Sequence, residues 1–138
     1  MASGYDHVAL ADLEPNPAKP STRREVSRQI GIEGYNLNVA ILEPGEPMAQ
    51  SGLHYHPDQE EVFYVVDGRC RVELEDGSFD LATDELVRFH PGTAQLLHNP
   101  FDEPCKLIAI GYPPEGHETV QAVESTAELL DRRYGEEG

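Results

Sequence analysis

The stretch His54–Glu61, HYHPDQEE, decides the reading of this chain. His54 and His56 stand two apart, so on a strand both imidazoles project to one face. Pro57, Asp58 and Gln59 turn the chain. Glu60 or Glu61 then opens the neighbouring strand and returns a carboxylate beside the two rings. The turn resets the register, so alternation alone does not choose between the two glutamates. Two neutral imidazoles and a carboxylate suit one divalent transition metal ion, Zn, Mn, Fe, Ni, Co or Cu, and are unlike an all-oxygen calcium loop. Taken alone, a His-x-His pair more often marks surface or hydrogen-bonded core histidines, so its surroundings carry the weight.

Downstream, the alternation of residues 61–66 ends at Asp67-Gly68, a strong hairpin signal. Residues 69–74 place Cys70, Val72 and Leu74 on one face and Arg69, Arg71 and Glu73 on the other. Glu75-Asp76-Gly77 is the next turn, and strands are predicted over 78–81, 85–89, 95–98 and 106–111, punctuated by Pro91-Gly92 and Asn99-Pro100. Upstream, residues 35–42 read as a strand, EPGEP (43–47) as a turn, and a short strand is predicted around 26–32. No stretch before residue 120 carries a helical period. Near the end, Ser125-Thr126 caps a helix through Leu129, Leu130 and Tyr134 that Gly135 closes. Many short strands with regular turns predict an all-β barrel or sandwich. The division is an N-terminal arm with three prolines (1–24), a barrel (25–114) and a tail with a short helix (115–138).

His54-x-His56, four residues, Glu61, six residues, Gly68: this pattern resembles the first motif of the cupin superfamily. The segment 84–99, DELVRFHPGTAQLLHN, resembles the second, with Pro91, Gly92 and Asn99 at its turn and closing positions. Four positions depart from the family. Met48 and Asp84 stand where the motifs have Gly, His90 where there is Pro, and Gln95 where the fourth ligand is normally His. The resemblance is to small single-domain cupins of the cupin 2 conserved-barrel kind. It implies a double-stranded β-helix, or jelly-roll barrel, with a metal inside held by His54, His56 and Glu61. It implies Glu61 rather than Glu60, and Gln95 as a weaker, neutral fourth donor. His98, three past Gln95, faces the opposite side of a regular strand and would enter only through a bulge. His90 reads as a rim or surface residue.

From Glu61 inward, alternation puts Phe63 and Val65 in the lining, with Cys70, Val72, Phe89 and Leu97 as neighbours. Arg69, Arg71 and Arg88 read as outward, which argues against a highly anionic substrate. The resemblance implies a metal-dependent oxygenase or isomerase acting on a small organic molecule. The alternative is a non-enzymatic small-molecule binding or sensing module, and a third reading is a structural barrel with an empty site.

The bulk numbers agree with one domain: 138 residues, and no apolar run near the roughly 18 residues of a membrane span. The first residues lack the pattern of a signal peptide, which predicts a soluble cytoplasmic protein. Asp plus Glu total 26 against 10 Lys plus Arg, a formal charge of −16, which excludes ordinary nucleic-acid and anionic-membrane binding. Only Lys19 and Lys106 are lysines. Acid-rich, lysine-poor surfaces resemble those of salt-in halophiles, and a halophilic origin is expected. Cys70 and Cys105 fit no Cys-x-x-Cys motif and are expected as buried free thiols. Ile108 and Ile110 alternate away from Cys105 and Leu107, and Tyr64 and Val66 form a second apolar set. A homodimer through a sheet face is expected.

Overall fold

The computed structural model describes residues 4–114 and 120–135. Its elements, in order, are β1 (Thr22–Glu25), α1 (Val26–Ile30), β2 (Asn36–Leu42), β3 (Leu53–Tyr55), β4 (Glu60–Asp67), β5 (Arg69–Leu74), β6 (Gly77–Ala82), β7 (Leu86–Phe89), β8 (Leu96–His98), β9 (Cys105–Tyr112), β10 (Gln121–Glu124) and α2 (Thr126–Tyr134). Antiparallel pairing builds a five-stranded sheet in the order β1-β2-β9-β4-β7. A second wall consists of the sheet β6-β5-β8 and the pair β10-β3. Isolated bridges, Pro47 to His98 and His54 to Gln95, join these pieces. The result is all-β, as the strand pattern predicts, and is the jelly-roll barrel that the resemblance to cupins implies, with one helix after it.

Register fixes what each face carries, because directly opposed residues share a face. On the inner side of the large sheet one row runs Arg23, Ala40, Leu107, Val65, and the next Glu25, Asn38, Ala109, Phe63, Val87. A third runs Asn36, Gly111, Glu61, Phe89. The first two rows end in charge at β1 and in apolar bulk at the centre. The fully packed end of the barrel holds Leu42, Val65, Cys70, Val72, Cys105 and Leu107. Both cysteines are buried free thiols there, as expected. The polar row and the small residues Ala109 and Gly111 leave the other end open. Gly68 carries φ 89, and a Cβ there would stand 2.4 Å from the Pro104 carbonyl oxygen, so the Asp67-Gly68 turn accepts no larger residue.

Two expectations at the ends change. The strand predicted around 26–32 is a helix at 26–30, closed by Gly31 at φ 82, and the strand lies earlier, at Thr22–Glu25, across the boundary drawn between arm and barrel. Ser27 explains the helix's position. Its hydroxyl donates to the Tyr35 carbonyl (2.9 Å) and accepts from the Leu37 amide (2.6 Å), tying the turn to β2. Five residues are too few to show a period in sequence. The tail also contributes a strand, β10, paired with β3. Helix α2 begins as predicted at Ser125, in a reciprocal capping box with Glu128. Leu129 packs on Leu53, Ala94 and Leu96, on the outer face of the second wall.

Candidate functional site

At the open end lies a cavity of about 240 Å³, lined among others by His54, His56, Glu61, Gln95, Phe63, Leu97 and Met48. His54 and Gln95 oppose each other across the β3–β8 seam. The Gln95 amide donates to the His54 carbonyl (2.8 Å), and the His54 amide to the Gln95 carbonyl (3.2 Å). Their side chains therefore enter the same space. His54 Nδ1 lies 2.6 Å from the Gly52 carbonyl. A carbonyl only accepts, so Nδ1 carries the proton and Nε2 keeps a lone pair. Gly52 sits at φ 71, and a Cβ there would stand 2.3 Å from the Glu124 carbonyl oxygen, so this anchor requires glycine. The His54 and His56 rings meet edge to face, with centroids 5.2 Å apart.

Glu61 is the electrostatic centre. Gln95 Nε2 donates to its Oε1 at 2.9 Å, and His56 Nε2 lies 3.5 Å from the same oxygen. Burial pushes its carboxyl up to about 7, against the opposing pull of the Arg23 charge and the Gln95 hydrogen bond. Burial lowers the His54 imidazole, offset in part by its bond to Gly52, which favours the neutral ring.

The donor chemistry fits a transition metal. Two bonds of about 2.1 Å at a tetrahedral angle separate ligand atoms by about 3.4 Å, close to the His56–Glu61 spacing. A carbonyl holding the far nitrogen of His54 is the usual support for a ligating imidazole. Among the described residues, however, no three His, Cys, Asp or Glu side chains already stand as a formed metal centre. Glu61 is instead turned toward the Gln95 amide.

The structure thus gathers His54, His56, Glu61 and Gln95 in one cavity. Phe63 and Leu97 line it, whereas Val65, Cys70 and Phe89 lie in the packed core. Glu60 points outward to Arg88, and Arg71 pairs outside with Asp80 at 2.8 Å. His98 faces away from the cavity and donates to the buried Glu73 at 2.8 Å. His90 is exposed, and His117 lies outside the described residues. Two residues escaped the sequence reading. Gln59, in the turn after His56, is buried over Gly111, with Nε2 donating to the Pro113 carbonyl (3.1 Å). Arg23 also lines the cavity, with Lys19 and Arg28, so cationic side chains do face it. Alternation within Thr22–Glu25 would have placed Arg23 and Glu25 on one face, had that stretch been recognised as a strand.

Residues 38–111 match the family model for the cupin domain. The chain is 28% identical over 103 residues to the polyketide synthase CurC of Streptomyces cyaneus, a match covering 73% of this chain and 65% of that protein, just under two thirds of its length. It is 27% identical over 127 residues to the protein SchB of Streptomyces halstedii, covering 87% of this chain and 90% of that one. In fold it is similar to a cupin 2 conserved barrel domain protein from Salinispora arenicola, with a TM-score of 0.64, 14% identity, and coverage of 96% and 99% of the two chains. With the matched segment running from β2 through β9 and holding both histidines, Glu61 and Gln95, the chain belongs to the cupin family.

Proposed function

We propose that the open end of this barrel binds one divalent transition metal through His54, His56 and Glu61, with Gln95 beside them, and acts as a metal-dependent isomerase or oxygenase on a small organic molecule. The observation that carries the reading is the convergence of two imidazoles and a largely buried carboxylate at one end of a cavity with room for a small molecule. A buried carboxylate is costly unless a cation or donors meet it. Bound there, a metal would supply Lewis-acid or redox chemistry.

The chain's own residues do the rest. The Gly52 carbonyl holds His54 with Nε2 presented. The Gln95 amide orients Glu61 through Oε1. Phe63, Met48 and Leu97 give the cavity an apolar wall that limits water. The name of the CurC relative, a polyketide synthase, supports a carbon skeleton rich in enolisable carbonyls as the class of molecule handled.

Elemental analysis tests the reading. Wild-type protein is expected to hold close to one metal per chain at pH 8, and His54→Ala much less. Because the Glu61 carboxyl titrates near 7 in the metal-free protein, protons compete for it below that pH, and occupancy falls between pH 8 and pH 6. Equal metal content in wild type and His54→Ala would remove the site. Wild type without metal that still binds a small molecule would favour the non-enzymatic binding module.

A further inference from the structure

The chain has 10 basic side chains against 26 acidic ones, yet three of those basic residues, Lys19, Arg23 and Arg28, line this one cavity. Arg23 is placed by the register of β1, Lys19 lies before that strand, and Arg28 is in α1 after it. Arg23 opposes Ala40 on the inner face of the sheet, where a methyl group leaves room for a guanidinium. The Arg23 side chain is 19% exposed and Arg28 stands at the rim at 77%.

Arg23 is held but not satisfied. With the Asn38 amide turned to suit its neighbours, its oxygen accepts from Arg23 Nη2 at 3.0 Å while its nitrogen donates to the Leu37 carbonyl. Glu25 Oε2 is 3.7 Å from Arg23 Nε, beyond hydrogen-bond range. Nε is buried and makes no hydrogen bond among the described residues. A buried donor on a charged group that lacks an acceptor is a place where an external acceptor gains most. Glu25 is also engaged elsewhere, accepting from Asn16 at 3.2 Å. Burial and the nearby Arg23 charge both lower the Lys19 ammonium, as expected where cations crowd one another.

We propose that Arg23, with Lys19 and Arg28 behind it, recognises the anionic group of the molecule that occupies the cavity, and that this molecule is a small organic carboxylate with an apolar body. The carboxylate pairs with the part of the Arg23 guanidinium that is open to the cavity. The body lies against Met48, Phe63 and Leu97 and reaches toward Glu61. A monoanion suits the wall because Glu25 cancels part of its charge. The proposal rests on reading this cavity as a small-molecule site, but not on the metal.

Calorimetric titration of chelator-treated protein with benzoate and its neutral analogue benzamide tests it. Wild type is expected to bind benzoate at least about tenfold more tightly than benzamide, a discrimination of the size one charge-assisted hydrogen bond supplies. Arg23→Gln is expected to lower benzoate affinity to the benzamide level, and Arg23→Lys to restore part of it. Circular dichroism checks that the variants fold. If Arg23→Gln does not fold, the Lys19→Gln/Arg28→Gln pair is expected to weaken benzoate several-fold and leave benzamide unchanged. Equal binding of the two probes, binding of neither, or full selectivity in a folded Arg23→Gln protein overturns the proposal. Phenyl phosphate outcompeting benzoate tenfold overturns the carboxylate assignment. Metal content is measured separately. A wild type that holds no metal before chelator treatment yet shows benzoate selectivity removes the metal reading alone, and one that holds metal before treatment but shows no selectivity removes this one alone.

Discussion

Gln95 is where the chain departs most from its family, and its backbone makes the departure testable. Both amide–carbonyl bonds to His54 fix the direction of its Cβ, so a different side chain at 95 enters the same space. Gln95→His would replace a neutral amide, now donating to Glu61, with an imidazole able to donate a lone pair to a metal. Metal affinity measured against a competing chelator is expected to rise by about tenfold or more. An unchanged affinity would mean that the side chain at 95 is not among the donors. His54 and His56 were readable from their two-residue spacing alone, whereas the choice of Glu61 over Glu60 and the place of Gln95 came from the resemblance of the two motifs to the cupin pattern, because the turn between the strands resets the register. Arg23 was readable from neither. Its place depends on pairing with β2, which in turn pairs with the distant strand β9, as in Ala40 with Leu107, and no local pattern reports a chain of pairings.

Helix α2 shows what an element can conceal. Its start was legible from Ser125 and Glu128, because caps are local chemistry. Its effect on the barrel was not. Alternation put Glu73 outside with Arg69 and Arg71, and it does lie on the outer face, but α2 covers it to 0% exposure. There Glu73 accepts from His98 (2.8 Å), Arg133 (2.7 Å) and Tyr134 (2.7 Å). Burial pushes its carboxyl up, but these hydrogen bonds outweigh burial and hold it below the ordinary carboxylate range. A depressed carboxyl stabilises the fold above its unfolded-state value, and that contribution is lost as pH falls through the folded value. Glu73→Gln is expected to cost about 3 kcal/mol or more near neutrality, since it leaves Arg133 and His98 facing a neutral group. The gap to wild type should narrow on acidification. Denaturant titrations at pH 7 and pH 4 check this, and a gap that is constant or widens toward acid would contradict the network's assigned role. Strand β10 and helix α1 were illegible for the opposite reason: four and five residues, respectively, are too short to carry a period.

At the scale of the molecule, two features act against each other. The outer face of the large sheet is apolar at its centre, with Leu37, Ile110 and Val62 in one row that ends at Arg88 and Val39, Ile108, Tyr64 and Leu86 in the next, which begins at Arg24. Leu86 is 61% and Ile110 38% exposed, so this surface lacks a cover among the described residues. We propose that a second copy of the chain covers it. Each copy, however, carries a formal charge of −16. The Debye length is about 30 Å in 0.01 M salt and about 3 Å in 1 M. At low salt, two copies repel before their apolar faces meet, and the acidic groups within each copy repel one another; at molar salt both terms are screened. Light scattering is therefore expected to give the mass of a dimer in molar salt. Ile110→Glu, which puts a charge in the centre of the face, should give a monomer under the same conditions. The melting temperature should rise with salt in both proteins, because intrachain repulsion does not depend on pairing. A wild-type monomer at molar salt would remove the sheet-face dimer, whereas melting temperatures equal in millimolar and molar salt would remove the electrostatic account and the halophilic reading with it.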